Sequence, residues 1–82
     1  GAVRDRIAAH KQRWTRVLVT QIEQAQKRGE LRADVDAEQL AFELDSYPLQ
    51  ANSRYQLTGD ARAFALATAA VERAIESGKP AD

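Results

Sequence analysis

Between Ala37 and Thr58 the apolar residues fall into two sets. At about 100° per residue, Leu40, Leu44, Tyr47, Ala51 and Tyr55 form one helical stripe, and Phe42 and Leu49 lie roughly half a turn away from it. A helix with one apolar stripe needs one partner. A helix apolar on two sides must be covered twice, by its own chain and by something else. Asp36 suits an N-cap, with Gln39 completing an approximate capping box, and Asp34, Asp36 and Glu38 gather at the positive end of the helix dipole. The spacing predicts a helix over 37–58. Pro48 removes an amide donor and crowds the carbonyl of Leu44, which predicts a bend within one helix, because the stripe keeps its phase from Leu40 through Tyr55.

Two further helices flank this one. From Val3 to Arg28, Val3, Ile7, Trp14, Leu18, Ile22 and Ala25 recur at helical steps, with His10, Val17 and Gln21 in the same stripe. Lys27 and Arg28 suit the negative helix end, and Gly29 is placed as a left-handed stop. Gly29 to Val35 shows no period and reads as a connection. Asp60 caps a third helix predicted over 61–77, with Gly78 and Pro80 after it. Its Arg62, Glu72, Arg73 and Glu76 read as solvent-facing, and Phe64, Ala67, Val71 and Ile75 as inward. A strip of small residues, Ala63, Ala67, Ala70 and Ala74, permits close approach by another helix, although alanine is also simply the best helix former. No strand-like alternation or internal repeat is visible. The fold class expected is all-α, a three-helix antiparallel bundle.

Size sharpens the demand for a partner. An 82-residue, 9.1 kDa chain is expected to expose about 4,900 Å² when folded and to bury only about 60% of its unfolded surface. With no cysteine to staple the fold, well-packed helices or self-association must supply the stability. No apolar run approaches the length of a membrane span, and no secretory signal opens the chain, so a cytoplasmic protein without membrane contact is expected. The chain starts at Gly1 rather than at a methionine, as a fragment or processed product does.

The net charge is zero but unevenly placed. Residues 1–32 carry eight Lys/Arg against three acids, and residues 33–82 carry four against nine. A basic helix beside acidic ones accounts for this better than a nucleic-acid arm. Arg4, Arg6, Lys11, Arg13 and Arg16 spread around the first helix without interleaved aromatics, as a solvated surface does.

Candidate chemistry is sparse. Asp34, Asp36 and Glu38 have the spacing that opens a calcium loop, but Gln39 stands where the glycine is needed and Asp45 where a bidentate glutamate is needed; helix capping explains the acids, and no metal site is expected. His10 lies in an apolar stripe with no second ligand at i+4 and no nucleophile arrangement nearby, so it reads as a half-buried packing residue. There is no glycine-rich phosphate loop and no HExxH. No catalytic residue and no cofactor is expected, and the chain does not read as an enzyme.

The run Ala25-Gln26-Lys27-Arg28-Gly29-Glu30-Leu31-Arg32-Ala33-Asp34-Val35-Asp36-Ala37-Glu38-Gln39-Leu40-Ala41-Phe42-Glu43-Leu44 resembles a stretch common in the C-terminal domains of TetR-type transcriptional regulators. Ala51-Asn52-Ser53-Arg54-Tyr55-Gln56-Leu57, followed by Gly59-Asp60 and an alanine-rich helix, is similar too, and the resemblance covers roughly residues 14–76. It implies a homodimeric regulator, in most cases a repressor. In that family an N-terminal helix-turn-helix, not present in this sequence, binds operator DNA, while the last two helices pair with their twins as a four-helix bundle beside an effector pocket. Pro48 departs from the family pattern, where a helix-favouring residue is usual.

Residue pattern and resemblance together set the remaining expectations. The chain is a single helical domain, 1–82, lacking the DNA-binding unit and touching DNA only through it. Its dimer interface is expected at Leu49, Ser53, Phe64, Ala67, Val71, Ala74 and Ile75. A small apolar or aromatic effector is expected against Trp14 and Tyr47, both large and amphipathic on inward stripes. The rival reading is a free-standing three-helix interaction module that takes a partner helix beside Phe42 and Leu49.

Overall fold

The computed structural model describes residues 1–81, and it contains three helices and no strand among them. Helix α1 spans Ala2–Lys27, α2 Ala37–Thr58 and α3 Arg62–Ser77. These match the ranges predicted from periodicity to within one residue at each end.

The ends are set by the residues expected to set them. Arg28 closes α1, Gly29 follows at φ 77, and the amides of Gly29 and Glu30 return to the carbonyls of Gln26 and Ala25 at 3.0 and 2.9 Å. That is the Schellman arrangement, and the left-handed residue in it favours glycine. At the start of α2 the Asp36 carboxylate accepts from the amide of Gln39 at 3.1 Å. Gly59, at φ 71, ends α2 with its amide on the carbonyl of Tyr55 at 2.7 Å. The Asp60 carboxylate then takes the amide of Arg62 at 3.0 Å as α3 begins. Helix α2 runs unbroken through Pro48. The Ser46 hydroxyl donates to the carbonyl of Phe42 one turn before the proline, a back-bond of the kind that bends helices.

Helix α2 is the middle member. Helices α1 and α3 each pack on it and not on one another, so the three lie side by side as an open layer. The Cα envelope measures 42 × 34 × 13 Å with a radius of gyration of 14.9 Å, against about 12 Å for a compact domain of this length. The exposed area is 6257 Å², some 1,400 Å² above the roughly 4,900 Å² of a folded monomer of this mass.

One small core holds the layer together. Ile22 of α1, Leu31 of the connection, and Leu40 and Ala41 of α2 are buried, with Leu18, Val19, Val35, Leu44 and Ala74 packed around them. A second buried pair, Ala51 and Ala63, closes the α2–α3 seam. The connection between α1 and α2 is tied on both sides. The Gln26 amide donates to the carbonyls of Arg32 and Val35 at 3.0 and 2.9 Å. Arg32 donates through its backbone amide to the carbonyl of Gly78 at 2.8 Å, and through Nη1 to that of Ser77 at 2.8 Å. Gly78 is needed there for space: a Cβ would sit 3.2 Å from Val35 Cγ2 and 3.3 Å from Leu31 Cδ2.

Candidate functional site: two faces of a helical layer

An open layer has two faces, and the helical periods of α2 and α3 assign residues to each. Leu40 and Leu44 lie about 140–180° around α2 from Phe42 and Leu49. On α3, Phe64, Val71 and Ile75 lie about 140–180° from Leu66.

The first face carries a groove. Leu18, Ile22 and Ala25 of α1, Leu31 of the connection, Leu40 and Leu44 of α2 and Ile75 of α3 line a cavity of about 430 Å³, with Gln21, Glu30 and Lys79 at its rim. Its floor is made of core residues, since Ile22, Leu31 and Leu40 are buried. A concave, almost wholly apolar wall of this volume falls within the size range of small-molecule sites. Farther along the same face Tyr55 and Phe64 pair with ring centroids 5.3 Å apart.

The opposite face also carries a recess, of about 680 Å³ and more polar, between α1 and the start of α2. On this face the large apolar side chains stand out: Phe42 is 69% exposed, Leu49 51%, Leu66 51% and Leu57 83%. Toward α1 this face is polar, where Arg16, Thr20, Asp36, Glu38 and Asp45 surround Phe42.

The sequence-expected residues distribute over this plan as follows. Ile75 lines the groove, Phe64 pairs with Tyr55, Val71 is half-buried, and Leu49 and Ser53 are exposed. Ala67 lines the α2–α3 seam with Ala63 and Ala70, and Ala74 packs on the core. The alanine strip is therefore used within the chain, to bring α3 close to α2.

Trp14 and Tyr47 are also separated. Tyr47 faces α3, beside Ala51, Ala63 and Ala67. Trp14, 47% exposed, donates from Nε1 to Asp45 Oδ1 at 3.1 Å. Neither lines the 430 Å³ groove. His10 is exposed rather than half-buried, because α1 has left the body by that point: its outermost tie is the Lys11 Nζ donation to Asp45 Oδ2 at 3.0 Å, and beyond it Val3 and Ile7 are 64% and 61% exposed.

Sequence reasoning missed Leu31, Leu66 and Asp45. Leu31 sits in a stretch without period, and Leu66 is masked by the alanines around it. Asp45 binds both Lys11 and Trp14 from 34 and 31 positions away, a separation at which no local pattern speaks.

Electrostatics adds little on either face. The Glu30 carboxyl is held below its ordinary range by the hydrogen bond from Arg28 and by that residue's charge, and Arg28 is raised by the same contact. Both are fully exposed. No group of three or more His, Cys, Asp or Glu that could hold a metal ion occurs among the described residues, and no described helix is long and apolar enough to cross a membrane.

The family model described as "Tetracyclin repressor-like, C-terminal domain" matches residues 1–71. The chain belongs to that family. No curated protein and no solved structure matches it. The match spans α1, α2 and most of α3, and all the groove residues except Ile75 and Lys79 lie within it.

Proposed function

We propose that this TetR-like domain is the dimerisation and effector-binding region of a cytoplasmic transcriptional repressor. It acts without catalysis, and operator binding is carried by a helix-turn-helix outside these residues. The observation that supports the reading most is the exposed area, some 1,400 Å² in excess of that of a compact monomer. Part of that surface is apolar, with Phe42, Leu49, Leu57 and Leu66 each at least half exposed, and monomers seldom leave large apolar patches uncovered. A two-fold association through α2 and α3 covers it with the same surface from a second copy.

The groove supports the effector half of the reading. Its lining from Leu18, Ile22, Leu40, Leu44 and Ile75 suits a small apolar or aromatic molecule held by burial, with Gln21 and Lys79 available at the rim for one polar group.

Sedimentation equilibrium at tens of micromolar tests the dimer: a two-fold mass is expected, and a monomer defeats the proposal. Titration with a panel of apolar and aromatic small molecules, read by calorimetry and by thermal shift, tests the groove. Binding that survives Leu44→Glu places the effector elsewhere. In gel-shift measurements at physiological salt the domain itself is expected to bind DNA weakly and without sequence preference, its net charge being zero.

A further inference from the structure

We infer that the groove takes a neutral apolar molecule carrying one hydrogen-bond donor, a hydroxyl or an amide N–H, and that the backbone carbonyl of Leu44 receives it because Pro48 leaves that carbonyl without its helical donor. The inference rests on the effector reading above and deepens it, by naming the ligand's polar group and the atom that recognises it.

Three observations carry it. The first is a missing donor. A carbonyl inside an α-helix accepts from the amide four residues on, and Pro48, inside α2, has no amide hydrogen to give to Leu44. Its ring also crowds the Leu44 oxygen away from the helix axis. The hydroxyl in the same turn does not fill the gap, for Ser46 Oγ donates to the carbonyl of Phe42 at 2.6 Å. A backbone acceptor in this state takes a water or a ligand, because leaving it bare costs about as much as a lost hydrogen bond.

The second is position. The oxygen points toward the residue four places on, and Pro48 lies only about 40° around α2 from Leu44. It therefore sits on the strip between these two residues. Leu40 and Leu44 wall the groove, whereas Tyr47 and Ala51 turn to the α3 seam. Leu44 is half-buried and Pro48 exposed, which puts the oxygen at the mouth of the groove, open to water when the groove is empty.

The third is charge. The charged rim residues lie toward the connection, beside Leu31, and both are paired. Glu30 accepts from Arg28 at 3.1 and 3.0 Å, and Lys79 Nζ stands 3.1 Å from Glu76. The carboxylate nearest in sequence to Leu44, that of Asp45, is engaged by Lys11 and Trp14. A ligand carboxylate at the Leu44 end would face a carbonyl oxygen, and an ammonium would leave water without a charged partner. A neutral donor meets neither difficulty.

The experiment compares 2-naphthol with 2-methylnaphthalene, which match in shape and differ in the hydroxyl. Binding of each to the whole chain is measured by equilibrium dialysis at neutral pH, where 2-naphthol is uncharged, and the reading is the ratio of the two dissociation constants. Pro48→Ala restores the amide at an exposed position and puts the best helix former in place of the worst, so it is expected to fold; circular dichroism checks this. The preference for 2-naphthol over 2-methylnaphthalene is expected to fall about 3–10-fold in Pro48→Ala, since only the naphthol donates. A straightened helix would change both constants together and leave their ratio alone. Pro48→Ser restores the same amide with a weaker helix former and is expected to lower the preference equally; a fall in Pro48→Ala alone overturns the inference. So does an unchanged ratio in both variants, and so does a fall in Gln21→Leu without one in Pro48→Ala, which gives the hydroxyl to the Gln21 side chain. In those cases the effector reading stands, provided that both probes are lost in Leu44→Glu. Failure of both probes to bind the parent chain defeats the groove as their site and this inference with it.

Discussion

Replacing Asp45 by alanine should loosen α1 from the body without unfolding the domain. The Asp45 carboxylate is the one side chain that draws polar contacts from α1 onto α2 among the described residues: Oδ2 accepts from Lys11 Nζ at 3.0 Å and Oδ1 from Trp14 Nε1 at 3.1 Å. The pair is partly screened, with Lys11 46% and Asp45 25% exposed, so the ion pair contributes about 0.5–1 kcal/mol. The indole bond to a charged acceptor adds about 1 kcal/mol, at the low end because Trp14 is half-exposed. Both released donors reach water, and no orphaned group adds to the loss. Asp45→Ala should therefore cost about 1–2 kcal/mol and lower the melting temperature by about 5–15 °C. Asp45→Asn keeps an acceptor for the indole and should cost about half as much. Trp14 is the only tryptophan, so its emission reports the same event. A red shift and easier quenching are expected in Asp45→Ala, with the far-ultraviolet circular dichroism spectrum retained. An unchanged melt together with unchanged emission refutes the assignment. So does full additivity of Asp45→Ala with Lys11→Ala, because residues in one network should couple.

Three further outcomes follow from single positions. Leu40→Ala removes a buried side chain from the main core cluster among the described residues and should cost about 2–5 kcal/mol, lowering the melting temperature by about 10 °C or more; a smaller fall means the core is not where the cluster places it. Gly29→Ala meets open space but a φ of 77, so the strain alone should cost about 1 kcal/mol in chemical denaturation; a stabilised variant contradicts the Schellman ending of α1. Glu30→Gln should leave the melting temperature unchanged at neutral pH, because the ion pair with Arg28 is fully exposed. Since its folded pKa is lowered, any stability Glu30 adds is present above the ordinary glutamate pKa and is lost as pH falls through the folded value, so a gain of stability on acidification traced to Glu30 contradicts the assignment.

How much of this was legible in the sequence follows from what each feature depends on. The three helices and their ends depend on local pattern and on caps such as Asp36 and Gly29, and they were readable to within a residue. The two-sided character of α2 depends on the 100° step alone, and it was readable too. The relative rotation of two packed helices does not follow from either helix by itself. It depends on which residues meet in the seam, and Ala63, Ala67, Ala70 and Ala74 meet α2 there because small side chains let the backbones approach. Once they are in the seam, Leu66 turns to one face and Phe64, Val71 and Ile75 to the other. The groove needed Leu31 from a stretch without period, and the clasp on α1 needed Asp45 to find partners more than thirty residues away.

A layer of three helices is a poor way to build a free monomer and a good way to build a shared wall. In a closed three-helix bundle each helix turns its one apolar side to a common centre, and the outer side is free to be polar. Here α1 and α3 do not meet, so α2 has covered flanks and two uncovered faces, and both faces carry leucine or phenylalanine. Evolutionary cost aside, exposed Phe42 and Leu49 favour aggregation unless something covers them. The step from Leu40 to Phe42 is two residues, about 3 Å of rise, yet it passes from the wall of a ligand-sized groove to a side chain that is 69% exposed. A rotation of α2 that opens the groove therefore moves Phe42 and Leu49 by the same angle, because a helix turns as one body. Filling the groove with a small apolar molecule should thus change the dimer's stability, and linkage requires the dimer to change the affinity of the groove by the same factor. Measuring dimer dissociation with and without a groove-bound molecule decides the point: an unaltered dissociation constant with the groove saturated means that α2 separates the two faces without coupling them.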